Sequence, residues 1–348
     1  MKRVTLFCSV VCVVGLTLAA NLGAQTGRQT TPAAAANTST LWITLGESDE
    51  IVEVDAYTFK ETRRIKTDPK PHGMVASPDG SKIYIVSDRT GNLQVIDVRR
   101  GAVVATLPLG KDPNQLVLTK DGRFAYVPLR GDDQIAVVQL DPLKLVKKLP
   151  SPKGPHDAYR SDDGSRIYIG AQYGNAILVI DTVTQSVLHT IPTTDGVRPL
   201  EPARDGKTIY AALSNLIGFV IADTSSRRVT KRVELGTLPD GLPRPHLDTF
   251  THALQLTPDE KELWVTDCVN DLVRVVRVAD MREVSQIRVG HFPHWFATRS
   301  DGKVMFLSLW YSDAVAAIDI ASHRVLANIQ FARLSGPKRI LVAPKGGA

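Results

Sequence analysis

The chain has 348 residues, 43% of them hydrophobic and 22% charged, with a formal net charge of +6. That apolar share is ample for one continuous core, and the small basic excess, with no basic run or basic helix, excludes a surface patterned as a polycation for nucleic acid. There is no Gly-x-Ser-x-Gly, no phosphate-cradling glycine loop and no cysteine pair for zinc or haem, so no motif gives the reaction class.

At the start, Lys2-Arg3, the apolar stretch Val4 to Ala20 and small residues through Ala24 predict an export signal over residues 1–24. Its removal takes Cys8 and Cys12 with it. The exported chain, periplasmic or extracellular, is then left with Cys268 alone and no internal disulfide. Residues 25–39, rich in Thr, Ala, Gln and Asn, read as a flexible linker, and no later run is long and apolar enough to span a bilayer.

From residue 40 onward the pattern is β. Thr40 to Leu45, Ile51 to Asp55 and Thr62 to Ile65 predict three strands. Next come His72 to Ser77, a turn at Asp79-Gly80, and further strands over Lys82 to Ser87, Leu93 to Val98 and Ala102 to Leu109. The turn recurs as Asp121-Gly122, Asp163-Gly164, Asp205-Gly206, Asp259-Glu260 and Asp301-Gly302, each after 42 residues except one interval of 54. This period, with two alternating apolar runs after each turn, is that of four-stranded antiparallel propeller blades. A last unit begins at Pro337 and stops after its inner strand and turn. Its missing strands are the three at the other end, so residues 40–348 predict an all-β, seven-bladed β-propeller closed by pairing the C-terminal inner strand with the N-terminal strands.

Two register positions read as structural. Trp42, Tyr84, Tyr126, Tyr168, Tyr210, Trp264 and Phe306 share one place in the second strand and predict a buried aromatic ring. Asp55, Asp97, Asp181, Asp223 and Asp319 end the third strand, where a carboxylate accepts the N–H bonds of the following turn.

The runs Ile83-Tyr84-Ile85-Val86-Ser87 and Leu93-Gln94-Val95-Ile96-Asp97, followed by Ala102 to Gly110, Pro113 and Asp121-Gly122, resemble the YVTN-repeat propellers of exported bacterial and archaeal proteins. The resemblance spans nearly all of residues 40–346. It implies a propeller fold and membership of a superfamily that holds cell-surface scaffolds, a periplasmic single-strand DNA binder and the histidine-rich copper domain of nitrous oxide reductase. Nothing here matches that enzyme's second, cysteine-bearing copper domain.

One position stands apart from the structural ones. Seven residues before each turn, at the start of the innermost strand, lie His72, Asn114, His156, Arg198, His252, His294 and Lys338. Such residues converge on one mouth of the central channel. Four imidazoles there are the donor set of a copper, iron or zinc site, while Arg198 and Lys338 would repel a cation and favour an anionic organic ligand; plain hydrated polarity is the third reading.

The 12-residue insertion in Thr237 to Thr251 is expected at the same rim as a lid, carrying His246 and Asp248 as further ligand groups or a general base. Loops between second and third strands add Asp267 beside Cys268, and the pair Trp310-Tyr311 for stacking on a ring or sugar. Cys268 itself is expected to be inert. The sequence thus predicts a monomer that binds a small-molecule or protein ligand at one mouth, with a metal-dependent redox or hydrolytic enzyme and a cell-envelope scaffold or single-stranded DNA binder as alternatives.

Overall fold

In each repeat the middle two strands are apolar on both faces and the outermost strand on one. Lys82–Ser87 and Asn92–Asp97 are buried along almost their whole length, whereas Ala102–Pro108 alternates between exposed and half-buried. This is the signature of sheets stacked face to face around an axis, with only the outer edge wet. The computed structural model, which describes residues 39–238 and 249–344, folds these runs into seven four-stranded antiparallel sheets arranged as a ring. Among the described residues the helical content is one short 3₁₀ turn, Trp310–Ser312, and no helix is long and apolar enough to cross a membrane.

Blade 1 runs from the channel outward as Pro71–Ala76, Lys82–Ser87, Asn92–Asp97 and Ala102–Pro108. Blades 2 to 6 repeat that order from inner strands Val117–Leu118, Pro155–Arg160, Val197–Pro202, Leu254–Leu256 and Pro293–Thr298. Blade 7 joins the two ends of the chain: its inner strand Pro337–Pro344 pairs antiparallel with Ser39–Leu45, which continues to Glu50–Asp55 and Glu61–Lys66. Ser39, expected at the end of the linker, is already the first residue of a strand. The expected signal, the rest of the linker, and His246 and Asp248 lie outside the described residues.

Both structural register positions fall where the repeat puts them. All seven aromatic residues of the second strands are buried, Trp42, Tyr126, Trp264 and Phe306 almost completely. The third-strand aspartates cap their turns: Asp55 Oδ1 accepts from the N–H of Thr58 at 2.7 Å and Asp181 Oδ1 from that of Thr184 at 2.8 Å. The aspartates of the repeat turn behave alike. Asp79, Asp121, Asp163 and Asp259 accept hydroxyl and N–H donors that pull their carboxyls down to about 2.

Candidate functional site

A slip in pairing at the start of most inner strands builds the site. In blade 1, Pro71 pairs with Ser87, yet the next partners are Met74 and Ile85, so His72 and Gly73 belong to no rung of their own sheet. The same slip follows Pro155, Val197 and Pro293. The freed N–H groups need other acceptors. Gly73 donates to Asn114 O of the next blade at 3.0 Å, an approach so close that a Cβ on Gly73 would overlap that carbonyl. In blades 5, 6 and 7 a second-strand hydroxyl takes over. Thr266 Oγ1 accepts from His252 and Ala253, Ser308 Oγ from Trp295, and Thr44 Oγ1 from Arg339, at 2.8–3.0 Å.

The residues so released enclose a cavity of about 270 Å³ at one mouth of the channel, lined by His72, His156, Arg198, His252, His294 and Lys338. Arg130, Thr249, Phe292, Trp310 and Tyr311 complete the wall. His72 Nδ1 lies 2.8 Å from Asn114 O and His252 Nδ1 lies 3.3 Å from His294 O. Only a protonated Nδ1 can bond to a carbonyl, so in both rings Nε2 keeps its lone pair. Arg198 Nη1 donates to His156 Nε2 at 3.5 Å. The rings of His252 and His294 stack with centroids 3.7 Å apart, and His294 lies against Trp310 at 5.1 Å.

Burial sets the charge of this mouth. It holds His72, His252 and His294 well below the ordinary histidine range, helped by the cations Lys338, Arg339 and Arg198, and brings His156 down to about 4 although Asp157 pulls it up. All four imidazoles are therefore neutral at neutral pH. The positive charge comes from Arg198, from Arg130 paired with Asp112 at 2.7 Å, and from Lys338, which lies 3.4 Å from Asp88 and 5.2 Å from the Trp310 ring. Burial lowers the Lys338 ammonium from its usual value, and Asp88 opposes that shift. Among the described residues no carboxylate lines the cavity.

Below the imidazoles lies a buried layer of side chains from blades 3, 6 and 7. Asp157, fully buried, accepts from Arg339 Nη2 at 2.9 Å, and the Arg339 guanidinium lies 3.4 Å over the Trp295 ring. His156 Nδ1 is 3.5 Å from Asp157 and the His252 ring 5.0 Å from Trp295, so this layer is the floor of the mouth.

Of the residues expected here, the structure gathers His72, His156, Arg198, His252, His294, Lys338, Trp310 and Tyr311. Asn114 holds its place in the ring, but it is fully buried and its carbonyl rather than its amide serves the site. Asp267 does not reach the cavity. It ends the second strand of blade 5 under complete burial, held by Arg274 at 2.7 Å and by the N–H groups of Val269 and Asn270, because the buried Arg274 requires a counter-charge. Its neighbour Cys268 is buried, and burial pushes the thiol up to about 12, the inert state expected of it.

The insertion reaches this mouth through its C-terminal end: Thr249 lines the cavity and Thr251 Oγ1 donates to Leu216 O at 3.1 Å. Sequence reasoning missed Thr249 and Phe292. It also missed the floor, whose residues Asp157, Trp295 and Arg339 each follow the register position by one, a signal visible once the strand is known to slip there.

The four imidazoles share a cavity without forming a coordination sphere. Among the described residues no group of three or more His, Cys, Asp or Glu is placed to hold a metal ion. The face-to-face stack of His252 on His294 also keeps their lone pairs in separate, nearly parallel planes.

The chain matches no protein-family model and no curated protein. Its fold is shared with solved structures of low sequence identity. Kuenenia stuttgartiensis hydrazine synthase is similar at a TM-score of 0.69 and 21% identity, over 81% of this chain and 92% of that one. The periplasmic gluconolactonase of Pseudomonas aeruginosa is similar at 0.70 and 19%, over 87% and 98%. A Desulfotomaculum acetoxidans protein of unknown function is similar at 0.70 and 14%, over 88% and 99%. At these identities the likeness establishes the fold.

Proposed function

We propose that this exported propeller binds a small hydroxylated carboxylate, of the sugar-acid type, at the histidine-lined mouth. The observation that carries the reading is the wall itself: Arg130, Arg198 and Lys338 line it with no carboxylate among the described residues, while His72 and His252 offer bare Nε2 lone pairs. A carboxylate can add charge-assisted bonds to these cations, and hydroxyl groups can donate to the imidazole nitrogens. Trp310 and Tyr311 supply a face for the C–H side of a sugar chain. The volume, about 270 Å³, lies just under the range of roughly 300–1,000 Å³ usual for small-molecule sites.

Gluconate is the first probe, since one protein of the same fold is named a periplasmic gluconolactonase. Calorimetry should show gluconate binding that weakens with salt, hexanoate binding poorly, and Arg198→Met with Lys338→Met weakening gluconate by about tenfold or more, the scale of a lost charged hydrogen bond. Equal binding by wild type and the double variant would sink the reading.

The copper, iron or zinc alternative rests on the same bare Nε2 atoms of His72 and His252, and requires the His252–His294 stack to open. Elemental analysis of untagged protein against a His156→Ala, His294→Ala variant separates the two, because equal metal content removes the metal reading and leaves the anion site untouched. Export is tested by N-terminal sequencing of the secreted protein, which should begin after Ala24.

A further inference from the structure

The other end of the channel holds the larger cavity, about 620 Å³, and the Asp157–Arg339–Trp295 layer separates it from the histidine mouth. Its walls come from the later residues of the inner strands. Met74, Leu116, Leu118, Leu254, Phe296 and Ile340 give them apolar patches beside an equal share of polar surface. Among these lie buried polar atoms with no hydrogen-bond partner among the described residues. Three are donors, the Nε–H groups of Arg160 and Arg339 and the indole N–H of Trp295, and one is an acceptor, Gln115 Oε1. Buried polar groups in a folded protein are nearly always satisfied, so an excess of donors at this chamber suits an acceptor from outside the chain, a water or a ligand group.

Charge agrees with that count. Arg160 donates through Nη1 to Leu118 O at 2.9 Å, which fixes the guanidinium in the wall without neutralising it. Among the described residues the chamber's one acid is Glu201, half-buried, which accepts a long bond from the Leu256 N–H at 3.4 Å. Burial pushes its carboxyl up to about 8, so it is neutral at neutral pH. Facing it are Arg160 and Tyr159 from blade 3, Glu260 from blade 5 and Arg204 of its own blade.

We infer that this wide mouth is a second binding site, for an amphipathic monoanion: an apolar body against the strand side chains and one carboxylate directed at Arg160. It is independent of the sugar-acid site, which lies beyond the floor and has cations, lone pairs and almost no aliphatic wall.

The test uses octanoate, octanol and octylamine as probes of the intact exported chain, by calorimetry with tryptophan fluorescence in parallel. At pH 6.5 octanoate should bind at one site per chain, octanol more weakly, and octylamine should fail to bind. Arg160→Met should weaken octanoate by about tenfold to a hundredfold, the loss of one charged hydrogen bond in a dry site. Octanoate affinity should fall as the pH rises through about 8, where Glu201 ionises. That fall should vanish in Glu201→Gln, a near-isosteric change that tests the site even where Arg160→Met impairs folding. Arg198→Met should leave octanoate affinity unchanged. The inference is overturned by octylamine binding as well as octanoate, or by octanoate affinity that neither Arg160→Met nor Glu201→Gln alters.

Discussion

Four buried imidazoles make the mouth a pH-sensitive element of stability. A histidine whose folded value lies below its ordinary 6.5 takes up a proton more readily when unfolded, so its contribution is complete above 6.5 and is lost as the pH falls, down to about 4 for His156. Glu201 works the other way, since its folded carboxyl keeps a proton up to about 8 that the unfolded chain releases near 4.5. Between 6.5 and 4.5 the histidines outnumber it, and each uncompensated proton is worth about 1.4 kcal/mol per pH unit. Melting temperature should therefore drop as the pH falls through that window, and His252→Gln should flatten the slope. A melting temperature that climbs toward acid would refute this account. The register position of the histidines was legible in the sequence, but their charge was not, because it depends on burial and on Arg339, one residue beyond that register position.

At the scale of single elements, the repeat predicts seven similar inner strands, and two are short for identifiable reasons. In blade 2 the second strand carries Pro128, which has no N–H to give, and the inner pairing shrinks to an isolated bridge at Pro113 and the pair Val117–Leu118. In blade 5 the Thr266 hydroxyl takes the N–H groups that a ladder would have used, and the strand begins only at Leu254.

The closing strand was fully legible from the unfinished seventh repeat. It places Ile340 opposite Ile43 and Val342 opposite Leu41, while Lys338 enters the mouth and Arg339 the floor. Ile340 is 4% exposed, so Ile340→Ala should cost about 2–5 kcal/mol in chemical denaturation. Leu188→Ala, on the exposed outer strand of blade 3, should cost roughly 0.5 kcal/mol or less. Comparable losses in the two variants would mean that the closing strand is packed no better than a blade edge.

For the molecule as a whole, phase does what a local motif does in other proteins. Residues far apart in sequence, from His72 to Lys338, become neighbours because each occupies the same place in a ring, and so the ring's integrity is a condition of both mouths. An open repeat array can fray from its ends, because each unit contacts only its neighbours. Here the two ends lie in one sheet, and no terminal blade exists to fray first. Unfolding followed by far-ultraviolet circular dichroism, which sees every blade, should therefore coincide with unfolding followed by tryptophan fluorescence, which reports from Trp264 in blade 5, Trp295 and Trp310 in blade 6 and Trp42 in blade 7. A chain ending at Gly336 lacks the closing strand and exposes what it covered, the edge of Ser39–Leu45 and the facing sides of blades 6 and 1. Its fluorescence midpoint should fall below its dichroism midpoint, because three of the four tryptophans sit in blades 6 and 7 at the opening while blades 2 to 5 keep their neighbours. If the shortened chain melted in one coincident step at the temperature of the full one, closure would be an ornament of the fold and neither mouth would owe its geometry to it.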